Sequence, residues 1–223
     1  MGFIREIARI FYFYSRRIYY SILLCFKDIY RLVQDHYWDC KLGIHTCYDD
    51  KDLDERAAFK DEVIYRPTSY HRIRKMIEYL KLGPEDVFLD LGCGKGRVLA
   101  MFSREKLKRV IGVELQKRLV ETARKNVGAQ GPAPLSRQTP VEIICGDVVN
   151  FDPREATVIF LYDPFQYKTF TKVLENIQAS LKANPRKLRI VYFDERYADI
   201  LNAQEWLKPE GEIGHTRILV WTS

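Results

Sequence analysis

The sequence predicts an α/β fold on a mostly parallel sheet, and three observations carry the prediction. Val87-Phe88-Leu89-Asp90-Leu91 is apolar except for one acid, the pattern of a strand buried on both faces. It runs into Gly92-Cys93-Gly94-Lys95-Gly96-Arg97, where alternate glycines let the backbone turn sharply and approach a ligand with no Cβ in the way. A helix expected from about Lys95 would then direct unpaired N–H groups at that ligand. Further apolar strands and amphipathic helices alternate through the rest of the chain, as they do in an open α/β sheet.

The glycine spacing selects the ligand class. A dinucleotide turn needs G-x-G-x-x-G, with its last glycine one place later than Gly96. Here the order is Asp90-x-Gly92-x-Gly94-x-Gly96, with an acid near the strand's end. That arrangement resembles motif I of the class I S-adenosylmethionine (SAM) methyltransferases. SAM has no pyrophosphate but carries an amino group and a sulfonium, and a carboxylate suits both charges. The next strand, Arg109 to Glu114, ends in an acid 22 positions after Gly92. A carboxylate there can accept hydrogen bonds from both ribose hydroxyls.

Composition fits one α/β domain with an appendage: 223 residues, 47% apolar and 30% charged. The five cysteines show no C-x-x-C and no metal-ligand spacing with histidine, so they read as reduced packing residues of a cytoplasmic protein, with Cys93 a small filler in the turn. No metal site is expected. The net charge of +6 arises partly from the first 35 residues, which weakens it as a sign of nucleic acid.

Residues 1–36 form a distinct amphipathic block. On a helix at about 100° per residue its charged positions, Arg5 to Asp35, fall within roughly 140°, with Ile4, Phe11, Ile22, Phe26 and Val33 opposite. The uncharged stretch Ile18 to Phe26 is too short to span a bilayer. Six Lys/Arg against three Asp/Glu leave two readings: a helix packed on protein, its own domain or a second copy, or an interfacial membrane helix.

Residues 37–83 are expected to be a linker and a cofactor-covering helix. Within them come Trp38-Asp39, Leu42-Gly43-Ile44-His45-Thr46, an acidic loop from Asp49 to Glu55, and Tyr65-Arg66-Pro67-Thr68-Ser69. Pro67 holds Arg66 extended. Thr68 or Ser69 is expected to cap a helix through about Leu82, stopped by Gly83-Pro84. Residues 84–223 then make the SAM domain. After the glycine turn come a crossover helix, strand Arg109 to Glu114, a helix from about Gln116 to Val127, a surface loop over 128–140, and strand Val141 to Cys145. Thr157 to Tyr162, Leu188 to Phe193, Trp206 to Ile213 and Thr216 to Trp221 are the remaining strands, the last two an antiparallel pair, with a helix over Phe170 to Leu181.

The segment W/F-D-x-x-x-G-I-x-T, then Y-x-P-T, then D-L-G-C-G-K-G-R resembles a mostly bacterial group of class I methyltransferases, and more distantly small protein-lysine methyltransferases. The resemblance covers about Trp38 to the C-terminus. It implies a Rossmann-like seven-stranded, mostly parallel sheet with an antiparallel last strand. It also implies SAM as cofactor, held by Asp90, Gly92, Gly94, Gly96 and Glu114, with Tyr65, Thr68 and Ser69 closing over it. An acid after the third strand would bond the adenine amine, a role that falls to Asp147, while Val148 N–H reads a ring nitrogen. Asp163-Pro164-Phe165 occupies the catalytic position, but with one proline where nitrogen methylases of the N/D-P-P-Y/F type have two. Asp163 can orient or deprotonate an amine and Phe165 can pack the acceptor. A nitrogen of a protein lysine or a small molecule is the expected acceptor. The alternatives are a non-catalytic SAM-binding or membrane-associated module and an NAD-dependent oxidoreductase.

Overall fold

The computed structural model describes residue 26 and residues 29–48, 65–128, 137–162, 165–193 and 196–223. The expected amphipathic block over residues 1–25, the acidic loop at 49–55, Asp163 and most of the loop at 128–140 lie outside them. The chain divides into two compact units, Met1–Trp38 and Asp39–Ser223. In the first, residues 29–38 are helical, and Ile29, Tyr30, Val33 and Tyr37 are exposed. Among the described residues no helix is long and apolar enough to cross a membrane.

The second unit is a seven-stranded sheet with helices on both faces. In chain order its elements are α1 (Tyr70–Leu80), β1 (Val87–Leu91), α2 (Arg97–Phe102), β2 (Arg109–Glu114), α3 (Lys117–Gly128), β3 (Val141–Cys145), β4 (Val158–Tyr162), α4 (Tyr167–Ala183), β5 (Arg189–Phe193), α5 (Ala198–Asn202), β6 (Lys208–Glu212) and β7 (Ile218–Thr222). The strand order is β3-β2-β1-β4-β5-β7-β6. The first five strands pair in parallel, and β7 runs antiparallel to both its neighbours. This is the Rossmann-like sheet that the sequence predicts.

All five residues of β1 are buried, because alternate side chains enter different cores. Leu89 and Leu91 join Ile159, Leu161, Phe170 and Ile190 on the α4 face. Phe88 points to the α1 and α2 face, among Ile73, Met76, Phe102 and Phe160. Its ring lies 3.8 Å from that of Phe102, centroid to centroid. Asp90, two residues on from Phe88, shares this second face.

Three local expectations need correction. The crossover helix starts at Arg97 rather than Lys95, because Gly96 at its N-cap has φ +80°. Helix α1 ends at Leu80, since Lys81 is left-handed at φ 46°, so the stop comes before Gly83-Pro84. Ser69 occupies the N-cap position of α1 but makes no side-chain capping bond. The cysteines also divide: Cys93 is a buried filler, whereas Cys40 and Cys145 are exposed.

Gly112 of β2 pairs with Asp90, and its missing side chain is the space that the turn fills. A Cβ there would stand 2.4 Å from Leu99 Cδ1 and 2.8 Å from Cys93 Sγ. Gly112→Ala should therefore destabilise the fold by about 1–3 kcal/mol through overpacking, and adding Cys93→Ala should recover part of the loss in a thermal melt. A melt unchanged by Gly112→Ala would show that the turn is not packed this tightly.

Candidate active site

Parallel strands deliver their C-terminal ends to one rim, and the sheet's order reverses between β1 and β4, where a crevice opens. The crevice is a cavity of about 460 Å³, of a size ordinary for a small-molecule site. Its wall is built from Asp90, Gly92 and Gly94, from Glu114 at the end of β2, from Asp147 and Val148 after β3, from Tyr162 and Phe165 around the end of β4, and from Tyr65 and Thr68. Nine of the twelve residues singled out from sequence thus meet on one cavity. Gly96 is not on the wall. It serves packing, since a Cβ there would come within 3.0 Å of Ala123 Cβ on α3. Asp163 lies outside the described residues. Ser69 is buried beside the cavity without lining it.

The register of β1 on β2 sets the turn. Gly92 and Cys93 both donate to Val113 O, at 2.8 and 3.1 Å. That places Gly94 N–H 2.9 Å from Glu114 Oε2, while Gln116 N–H donates to Glu114 Oε1 at 2.9 Å. A carboxylate oxygen can accept more than one hydrogen bond, so bracing the turn is compatible with a ribose-binding role for Glu114.

Asp90 is different. It is 3% exposed, and among the described residues its carboxyl group has no hydrogen-bond donor. Burial, and then the negative charge of Glu114, push its pKa from 3.8 up to about 8. A buried acid with a like-charged neighbour and no donor suits a cationic ligand, which would relieve both penalties. The site therefore fits SAM on the chemistry of its acids. Asp147 is more exposed and caps a short 3-10 turn, Val148–Asn150, by accepting from Val149 N–H at 3.0 Å through Oδ1. The residue also lines the cavity.

The remaining wall comes from chain far away in sequence. The helical residues up to 42 end in a Schellman arrangement: Gly43 has φ +67°, Gly43 N–H bonds Cys40 O, and Ile44 N–H bonds Asp39 O. The turn brings Thr46 back to Asp39. The Asp39 carboxylate accepts from Thr46 N–H and Thr46 Oγ1 (both 2.6 Å), from Cys47 N–H (3.0 Å) and from Tyr70 Oη (2.5 Å). Burial alone would raise the Asp39 pKa, but these donors and nearby Arg97 outweigh it and hold it low. Burial and the Asp39 charge push the Tyr70 phenol far above its ordinary value.

This network explains the motif Trp38-Asp39-x-x-x-Gly43-Ile44-x-Thr46. The aspartate is the hub, the glycine makes the turn and the threonine closes it. Sequence reading found the motif but not its partner. Arg97 of the glycine turn is 2% exposed and lies with its guanidinium 4.6 Å from the Tyr70 ring centre. Asn126 was missed as well. Its amide is paired with both His45 backbone groups, at 2.8 and 3.0 Å, and donates to Lys95 O at 2.8 Å. A polar residue in the apolar register of a helix is the signal that could have marked it.

At the opposite end, Tyr162 meets Phe193 edge to face at 4.3 Å, with the Arg66 guanidinium 5.8 Å from the Tyr162 ring centre. Tyr162 also went unnoticed in sequence, because it reads as the last residue of a buried strand.

The folded, ligand-free protein holds a proton on Asp90 that the unfolded chain loses near pH 4. The stability this group lends is complete below that pH and is lost as pH rises toward about 8. Asp90→Asn should therefore melt above the wild type at pH 8 in the absence of ligand, and the gap should shrink as pH falls toward 4. The same substitution should weaken SAM at least about tenfold, since a neutral amide replaces the carboxylate facing a cation. A gap independent of pH would remove Asp90 from this role.

Comparison with known proteins places these features. A family model described as "Methyltransferase domain" matches residues 88–184, from β1 through α4, and one described as "Histone methylation protein DOT1" matches residues 45–130. The chain is 27% identical over 161 residues to a protein-lysine N-methyltransferase of Saccharolobus islandicus, spanning 71% of this chain and 93% of that enzyme. It is 40% identical over 63 residues to a histone-lysine N-methyltransferase specific for H3 lysine-79 in Drosophila melanogaster, a match to 28% of this chain and 3% of that protein. Among solved structures it resembles an RNA methyltransferase of Salinibacter ruber in complex with S-adenosylhomocysteine, at 28% identity and a TM-score of 0.49, covering 70% of this chain and 92% of that one. Both the glycine spacing and the matches to the methyltransferase family model and the archaeal enzyme speak against a nicotinamide enzyme. The protein is a class I methyltransferase that depends on SAM.

Proposed function

We propose that the chain methylates a nitrogen, and that a protein lysine comes ahead of a small-molecule amine as its acceptor. The observation that carries this reading is the extent of the lysine-methyltransferase likeness. The match over residues 45–130 begins in the Thr46 turn, takes in Tyr65 and Thr68, and continues through the glycine turn to α3. It therefore includes the chain that covers the cavity, and the archaeal protein-lysine enzyme is matched over 93% of its own length. The aromatic side chains of Tyr162 and Phe165 on the wall suit the alkyl stem of a lysine.

In this reading Asp90, Gly92, Gly94, Glu114, Asp147 and Val148 hold the cofactor, Gly96 shapes the turn, and Tyr65 and Thr68 cover it. SAM supplies a methyl group already activated on sulfur. The chain's work is to orient the acceptor in line and to receive its proton. An ammonium has no lone pair, so it must lose a proton before nitrogen can attack the methyl carbon. As that bond forms, the carbon–sulfur bond breaks and its electron pair stays on sulfur. Asp163, one residue beyond β4, is the proposed proton acceptor or orienting group, and Phe165 packs the acceptor.

The full chain with methyl-labelled SAM should label protein in a lysate, and acid hydrolysis should release the label as methyl-lysine. Label on a small amine would move the acceptor within this reading, and label on nucleic acid would overturn it. Asp163→Ala should lower turnover by about a hundredfold or more, as loss of a positioned proton acceptor does, with SAM affinity unchanged by calorimetry. A loss of affinity alone would assign Asp163 to the cofactor instead.

A further inference from the structure

Two cations of the glycine turn, Lys95 and Arg97, have no place in the chemistry described so far. Both are 2% exposed. Burying a guanidinium and an ammonium side by side is costly unless geometry repays it, and an apolar pair would pack the same space at lower cost. Their partners show what the cost achieves. Lys95 Nζ donates to Cys47 O at 3.0 Å and lies 5.1 Å from the Tyr65 ring centre. Arg97 donates through Nε to Thr46 Oγ1 at 2.6 Å, through Nη1 to Thr68 O at 3.2 Å and through Nη2 to Cys47 Sγ at 3.4 Å, with Asp39 Oδ1 3.6 Å from Nη2. Every one of these contacts goes to the chain at 39–47 or 65–68.

The covering chain is also seated directly on the turn. Tyr65 Oη donates to Thr46 O at 2.6 Å, and the Tyr65 ring lies over Gly94 so closely that a Cβ on that glycine would be 2.5 Å from Tyr65 Cε2. Tyr65, Thr68, Gly94 and Arg97 all border the cavity. The turn thus grips, from beneath, the segment that walls the same cavity from above.

We propose that Arg97 is a positioning residue for SAM. Its planar guanidinium, joining Thr46, Thr68 and Asp39 at once, holds Tyr65 and Thr68 at the distance from the glycine turn that SAM requires. Lysine cannot replace it, because a single ammonium cannot span three acceptors in one plane. This role rests on the assignment of the cavity to SAM, but it makes a separate claim: cofactor affinity is set by a residue that acts through the covering chain.

Calorimetric titration of SAM into the full-length protein tests it. Arg97→Lys should weaken SAM at least about tenfold, as a misplaced wall does. A core variant remote from the cavity, Ile190→Val or Ile190→Ala, whichever matches its melting temperature, should bind SAM as the wild type does. Tyr65→Phe, which deletes only the hydroxyl on Thr46 O, should weaken SAM about threefold or more through one lost hydrogen bond, and it keeps the test open if Arg97→Lys does not fold. Wild-type affinity in a folded Arg97→Lys, or in Tyr65→Phe, would overturn the proposal, as would equal losses in the matched Ile190 variant. Failure of the wild type itself to bind SAM would instead sink the assignment of the cavity.

Discussion

Two carboxylates buried on one cavity, only one of them supplied with backbone donors, set the terms for the rest of this structure. Glu114 receives Gly94 N–H and Gln116 N–H. Asp90, on the neighbouring strand, receives neither, and the Glu114 charge adds to the cost of ionising it. The asymmetry follows from register. Leu91 pairs with Val113, so β1 reaches its last paired residue one position before β2 delivers Glu114, and the turn folds back within reach of that carboxylate. A buried acid beside a like charge favours a cationic ligand, which is why the proposed reading gives Asp90 to the positive charges of SAM.

The fold can bear this local cost because the rest of the sheet is conventional. Side chains alternate between two apolar cores, each closed by helices, and burial at roughly 25 cal/mol per Å² outweighs one unfavourable acid. Gly112 and Gly96 both serve this packing. They let α2 and α3 approach until Leu99, Cys93 and Ala123 stand where side chains would have been.

A second polar centre governs the far wall of the cavity. Asp39 is also a buried acid, yet it is held charged, because four donors surround it and Arg97 stands 3.6 Å away. Removing one partner from such a centre leaves a buried charge without compensation, a change that costs about 3–5 kcal/mol. The covering chain is consequently joined to the glycine turn by polar bonds rather than by a large apolar interface. Its position depends on direction as well as contact.

Much of this was legible before any coordinates. Alternate glycines, an acid ending each of two buried strands and Gly146-Asp147 after a third are local signals, because each reports what one stretch of backbone must do by itself. They were enough to indicate the α/β class and the cofactor, and to single out residues that the fold brings to one cavity. Helix limits were less legible, since Gly96 and Lys81 act through a single left-handed residue whose effect depends on its neighbours. Arg97, Asn126 and Tyr162 stayed hidden for a different reason. Arg97 reads as the solvated start of a helix until Asp39 and Thr46, 58 and 51 positions earlier (97−39 and 97−46), close around it. Asn126 stands in the apolar register of its helix, but nothing local names its partner until His45 folds against it. Sequence by itself determined the strand, the glycine turn and the acids beside it, because a turn's chemistry lies within a few residues. Only the tertiary structure decided which distant chain holds them in place, because a buried charge declares its partners only once the chain has folded around it.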